Sequence, residues 1–248
     1  MPGSRAEITY GELGHLSGAD ADLASWNAVT GRQVTGTRRQ VGAGYSHVLG
    51  VGGSTLHYVG EAHRMHPGSF RLKQDFGMGA DWPISYADLE SHYAECERLI
   101  GVAGPAEPGM RWRSMPYPLP PHPLSPAAEV LSTSGRRLGM DWQANARAAL
   151  SEPYDGRPAC NYCANCSRGC PIGDKGSADV TFIRHAAATG NLTLEAGATV
   201  TRLIVGRGGN IEALEFAQNG RLRRQETPVL VLAAGAVQTP RLLLANAS

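Results

Sequence analysis

Four of the five cysteines in this chain fall within eleven residues, at Cys160, Cys163, Cys166 and Cys170, and Pro171 follows the last. Glycines and that proline punctuate the stretch 158–174, so it reads as a tight loop rather than a helix or strand. Soft thiolates brought together on one loop select zinc, copper(I) or an iron–sulfur cluster. The spacing C-x2-C-x2-C-x3-C-P is an iron–sulfur ligation run. Zinc generally uses two short knuckles a dozen or more residues apart, which one tight tetrad does not supply. A disulfide pair in an oxidising compartment is the other use of such thiols. In proteins with two clusters the fourth cysteine of this run ligates the second cluster, and no second run exists here. Cys96, in a helical stretch, reads as a core thiol. Three of the four thiolates therefore suffice for the expected cluster, with Cys160, Cys163, Cys166 and Cys170 as the candidate ligands.

The rest of the chain frames that loop. At 248 residues it can bury a sizeable core. Lys+Arg 23 against Asp+Glu 22 leaves a net charge of +1, which gives no field for nucleic acid or an anionic membrane. Thirty-one glycines and sixteen prolines point to a loop-rich α/β protein. No run approaches the roughly 18 apolar residues that span a bilayer, so no transmembrane segment is expected. The opening MPGSRAEITYGELG carries no apolar signal-peptide core. Periplasmic and cytoplasmic placements both remain open.

Residues 1–40 are polar and without clear periodicity, a poorly defined segment with one short helix expected around 19–29. A glycine-dense stretch follows at 41–55. Ser85, with Asp88 three residues on, caps a helix predicted to run to Gly101, its buried face reading Leu89, His92, Tyr93, Cys96, Leu99 and Ile100. Eight of the prolines lie between 105 and 126, a connector that crosses a surface. Ser125 caps a second helix to about Leu138, and a third is expected over 178–189. Strands are predicted at 199–205 and 211–216, joined by Arg207-Gly208-Gly209-Asn210 as a hairpin. The apolar run 229–233 reads as a strand buried on both faces. It leads into Ala234-Gly235-Ala236 and a helix over 239–245, with Pro240 at its tolerant first position.

Two glycine turns have a functional reading beside an ordinary one. Gly52-Gly53-Ser54-Thr55 offers backbone N–H groups and two hydroxyls to a phosphate or a ring edge, or it is a simple turn. The strand-to-helix turn at Ala234-Gly235 lets a helix N-terminus approach a phosphate or ribose, or it is a common connection. His57, His63 and His66 lie near the first turn. Each could face a ligand, and each alone reads better as a structural histidine.

Together these pieces resemble one family, the glucose–methanol–choline (GMC) flavin oxidoreductases. GVGGSTLHYVGEAHRMHPGSF (50–70) is similar to its flavin-contacting loop, and WPISYADLESHYAECERLIGVAG (82–104) to its Trp-Pro-Ile-Ser/Tyr helix. YDGRPACNYCANCSRGCPIGDKGS (154–177) resembles the cysteine loop of the branch with gluconate 2-dehydrogenase and the flavin-dependent sugar dehydrogenases. VLVLAAGAVQTPRLLLANAS (229–248) resembles the second family signature, with Asn246-Ala247-Ser248 where Ser-Gly is usual.

The resemblance implies an α/β fold: a partial, Rossmann-like FAD-binding domain over 41–248 that carries the cysteine loop. It implies FAD contacts from Gly52, Gly53, Ser54 and Thr55, with His57 near the ring. Val200 would give a backbone contact on the adenine side, and Ala234 and Gly235 would close on the dinucleotide. It further implies a [3Fe-4S] or [4Fe-4S] cluster passing electrons to a cytochrome or other acceptor subunit. Cys160, Cys166 and Cys170 fall where that branch keeps cysteines, and Cys163 departs from its pattern. The stretch Gly42-Ala43-Gly44-Tyr45-Ser46-His47 lacks the third glycine of a G-x-G-x-x-G turn. The chain is therefore expected to be an internal piece, inactive by itself, without the first nucleotide-binding unit and the C-terminal catalytic His–His or His–Asn pair. The implied reaction is oxidation of an alcohol such as a sugar or polyol. An electron-transfer module without catalysis and an oxygen-using oxidase with a structural cysteine loop are the alternatives.

Overall fold

The computed structural model describes residues 26–27, 32–33, 48–105, 112–140 and 142–246, in two units, Met1–Leu192 and Thr193–Ser248. In the first unit, β1 (Trp26–Asn27) pairs antiparallel with β2 (Arg32–Gln33). Trp26 and Asn27 are thus strand where a helix over 19–29 was expected; the rest of that stretch and residues 41–47 lie outside the described residues.

The centre of this unit is an extended segment, 146–150, hydrogen-bonded along both edges. Arg147 exchanges both backbone bonds with Ala103, each at 2.8 Å. Ala62 N donates to Ala146 O, Ala148 N to Gly60 O, and Gly176 N to Ala148 O. The chain just after the glycine turn and the chain just after the cysteine loop therefore meet on one segment. Small side chains permit that approach. Val102, Ala146 and Ala148 form one buried cluster against Tyr58 and Ile100, and Ala103, Leu119 and Leu150 form another against Tyr154.

The helix Tyr86–Ile100 forms where predicted. The Ser85 hydroxyl accepts from Asp88 N, the Asp88 carboxylate accepts from Ser85 N, and Gly101 ends the helix at φ 80°. Its inward face differs from the predicted one. Cys96 and His92 are exposed, and the buried residue is Glu97. A carboxylate enters the interior only with partners. Here Arg64 and Arg113 each bind it through two nitrogens, at 2.7–3.0 Å. Arg113 also stacks over Tyr117, which ties the proline-rich connector to the helix. The helix Pro126–Arg137 follows its Ser125 cap as expected. The third helix is less regular: it opens as a π-turn, Asp179–Ile183, with Ile183 N bonded to Ala178 O, and becomes α-helical only over Arg184–Ala188.

The second unit holds an antiparallel sheet in the order β3 (Ala198–Val205), β4 (Ile211–Gln218), β5 (Arg221–Glu226). The predicted hairpin is present. β5 was missed because RLRRQE has no apolar alternation; it is exposed throughout and held by backbone pairing to β4. Leu203, Ala213 and Phe216 form the buried side. Residues 229–233 are not a strand, and Val229 and Val231 are exposed. A doubly buried strand needs a neighbour on each edge, and no described strand pairs with it. The last helix spans Gly235–Ala245, so Pro240 lies inside it rather than at its first position. Asn246 fastens its end to β3 by accepting from Leu203 N at 3.0 Å. Among the described residues, no helix is long and apolar enough to cross a membrane.

Candidate functional site

The glycine turn is a single 3-10 turn, Gly53–Leu56, entered through Gly52 at φ 104°. Gly52 is required twice over. Its φ is left-handed, and a Cβ there would stand 3.0 Å from Leu56 Cδ2 and 3.3 Å from Asp179 Oδ1. Gly53 differs: a Cβ on it would meet nothing within 4 Å, so this point of the backbone faces open space. Ser54 is exposed beside it. Thr55 is committed to the fold, its hydroxyl donating to Gly52 O and accepting from Ala178 N at 2.9 Å. That second bond joins the turn to the start of the π-turn.

His57 ends the turn, half-buried, with Nδ1 2.9 Å from Ser167 O in the cysteine loop. A carbonyl oxygen only accepts, so Nδ1 carries the proton. Below both loops lies Lys175, fully buried. Its Nζ donates to Leu56 O, Tyr58 O and Cys166 O at 2.8, 2.9 and 2.8 Å, and sits 5.1 Å from the Tyr58 ring centre. Burial lowers the Lys175 pKa, which nearby Cys166 and Cys170 partly oppose. Burial likewise pushes the Tyr58 hydroxyl up to about 12. Asp179 Oδ1 is buried beside Gly52 and has no hydrogen-bond partner among the described residues.

The four thiols of the cysteine loop, like that of Cys96, are free of disulfides. Cys160 Sγ accepts from Tyr162 N, and Cys170 Sγ donates to Asp174 Oδ1. Cys160 is pushed up to about 11, first by burial and then by the nearby Asp174 carboxylate. Cys166 opens the 3-10 turn Cys166–Arg168, and Cys163 is exposed. Among the described residues, no three His, Cys, Asp or Glu side chains gather where they could hold a metal ion. The side chains of Cys160, Cys163, Cys166 and Cys170 thus do not converge as the ligands of a cluster must. Tyr162 N and Asp174 hold the side chains of Cys160 and Cys170 instead.

The remaining sequence candidates have simpler positions. His63 pairs with Glu61 at 2.9 Å on the surface, and His66 caps a short turn by accepting from Gly68 N. Val200, on β3, precedes a bulge in the pairing with β4, while Ala234 and Gly235 are exposed at the start of the Gly235–Ala245 helix. These three belong to the second unit. Lys175 and Asp179 escaped the sequence reading. Lys175 had a signal, a charged pair set between Gly173 and Gly176, but nothing local marks its partners.

Comparison of the sequence with known proteins decides the family. Residues 78–247 match the GMC oxidoreductase family. The chain belongs to that family. It is 35% identical over 200 residues to 6'''-hydroxyparomomycin C oxidase of Streptomyces lividus, covering 78% of this chain and 37% of that protein. It is 31% identical over 206 residues to the fructose dehydrogenase large subunit of Gluconobacter japonicus, covering 81% and 37%. Paromamine 6'-oxidase of Streptomyces fradiae is 34% identical over 202 residues, covering 78% and 36%. The chain thus spans little more than a third of the length of these relatives. As in other GMC proteins, FAD is the implied cofactor. The open backbone at Gly53, the exposed Ser54 hydroxyl and the unsatisfied acceptor at Asp179 fit a group that brings its own N–H and O–H donors.

Proposed function

We propose that this chain supplies part of the FAD-binding half of an enzyme that oxidises an alcohol CH–OH group, with a sugar-like polyol as substrate. The observation that carries the reading is the Gly52–His57 turn, open at Gly53 and held from behind by Lys175, in a chain of this family. The relatives named for hydroxyparomomycin, fructose and paromamine support the substrate class. When bound, FAD accepts the hydride.

The chain's own residues bind and orient. Gly53 lets the ring edge approach the backbone, Ser54 offers a hydroxyl, and Asp179 accepts from an N–H or O–H of the cofactor. A carboxylate there repels a diphosphate, so the contact is with the ribityl or ring portion. His57 contributes an oriented imidazole whose Nδ1 proton is held by Ser167 O. Val200, Ala234 and Gly235 are assigned to the adenine and phosphate side. No residue of this chain is assigned as the base that takes the hydroxyl proton. No step is routed through an iron–sulfur cluster, because the thiols do not converge. The electron acceptor of such an enzyme would be oxygen or an acceptor subunit such as a cytochrome.

Anaerobic purification of the full-length protein that carries this chain tests the reading. A flavin spectrum bleached by added polyol, with no stoichiometric iron or sulfide, is expected. A purified protein without flavin overturns the assignment, and an iron–sulfur EPR signal overturns the account of the cysteine loop.

A further inference from the structure

Lys175 gives up a solvated ammonium to be wholly buried, and the position of its three acceptors is not arbitrary. An ammonium has three donors and no acceptor, so Leu56 O, Tyr58 O and Cys166 O take its full capacity. Leu56 and Tyr58 flank His57 on either side. Cys166 immediately precedes Ser167. His57 and Ser167 are the two partners of the 2.9 Å bond between the loops. One cation therefore grips the backbone next to both ends of that bond.

We propose that Lys175 is a positioning residue for His57, holding the glycine turn and the cysteine loop together so that the ring stays in the Nδ1–H tautomer and turns its Nε2 lone pair away from Ser167. The functional weight of this rests on the flavin reading of the turn, while the geometry does not. The cysteine loop then has a use that needs no metal: it carries the Ser167 carbonyl that fixes the histidine, and the Lys175 ammonium is the tie. Buried, hydrogen-bonded charge suits this task, because each carbonyl it leaves would otherwise be an unsatisfied acceptor in the interior. Thr55, bonded to Ala178 N, secures the far end of the same turn, so His57 is constrained from both directions.

The test uses the 248-residue chain with 15N-labelled histidine rings, in 15N–1H correlation spectra at about pH 8, above the ordinary histidine range. His57 is assigned by the signal lost in His57→Gln. Wild type is expected to show His57 in the Nδ1–H tautomer. Lys175→Met, similar in length but without donors, is expected to convert it to a mixture of tautomers or to Nε2–H. Lys175→Gln, which keeps two donors, is expected to show both forms in exchange, and it serves if the methionine variant does not fold. Ser132→Ala removes a buried hydroxyl bonded to Trp142 O in another part of the unit. It should lower the melting temperature and leave the His57 signal unchanged, separating positioning from general destabilisation. An Nε2–H ring in wild type, or an unaltered Nδ1–H ring in either Lys175 variant, overturns the proposal. The flavin spectrum of the full-length protein keeps the two ideas apart: a protein purified without flavin counts against the flavin reading while the tautomer result stands.

Discussion

Replacing Glu97 by glutamine should destabilise the first unit by about 3–5 kcal/mol, the range for removing one member of a buried charged pair. Glu97 is 6% exposed, and the Arg64 and Arg113 side chains facing it are 3% and 1% exposed. Each carboxylate oxygen accepts one bond from each guanidinium. Glutamine keeps the shape and one acceptor. Its amide nitrogen, however, turns a donor toward two guanidinium N–H groups, so two bonds are lost. Hydrogen bonds to charged groups contribute about 1.5–3 kcal/mol each, which gives about 3–6 kcal/mol by a second route. Inside the cluster only Glu90, 3.4 Å from Arg64, remains to balance two positive charges. Urea denaturation followed by tryptophan fluorescence measures the loss, and the melting temperature should fall by about 6–20 °C.

The pH dependence has a definite sign. Burial alone would raise the Glu97 carboxyl, but Arg64 and Arg113 outweigh it and hold it below the ordinary carboxylate range. A group whose folded pKa lies below its unfolded value stabilises the fold above the unfolded value, about 4.3 for Glu, and loses that contribution as pH falls through the folded one. The gap between wild type and the Glu97→Gln variant should therefore be full at neutral pH and close on acidification. A loss under about 1 kcal/mol, the scale of an exposed ion pair, would refute the argument. So would a gap that is the same at pH 7 and pH 3.

Two further outcomes follow from single positions. Gly101→Ala should cost about 2–4 kcal/mol by thermal melting, because φ is 80° and the new Cβ would lie 2.5 Å from Leu150 Cδ2; a neutral effect would mean the Leu150 contact relaxes freely. Iodoacetamide at pH 8 should label the exposed Cys163 well before Cys160, whose thiol is pushed up to about 11 by burial and by Asp174, with the Cys160 rate climbing toward pH 10; equal rates by peptide mass spectrometry would contradict the assigned environments.

Local grammar made much of this fold legible. Ser85 with Asp88, Ser125 with Pro126, and the turn at 207–210 each determine their element with groups a few residues apart, and each appears where expected. Errors came where distant partners decide. The apolar period of the Tyr86–Ile100 helix put Cys96 inward, but Arg64 and Arg113 drew in Glu97, one residue further on. The run 229–233 has the composition of a central strand, yet composition cannot supply the strands that must flank it. β5 showed the reverse: six exposed residues form a strand because β4 offers its edge.

The same division explains why the site was only half readable. Gly52 and Gly53 announce themselves, since few residues other than glycine accept such backbone angles. Lys175 does not, because its role lies in carbonyls 119, 117 and 9 residues away. Cysteine spacing invited a metal as the agent that pulls the loop together. The structure puts an ammonium in that role, and this reverses the order of dependence. A metal-held loop would require its thiols first and His57 would be incidental. With Lys175 as the tie, the loop's backbone carbonyls are what the glycine turn needs. Cys166 then contributes through its carbonyl oxygen, so Cys166→Ser should preserve the His57 tautomer that Lys175→Met disturbs.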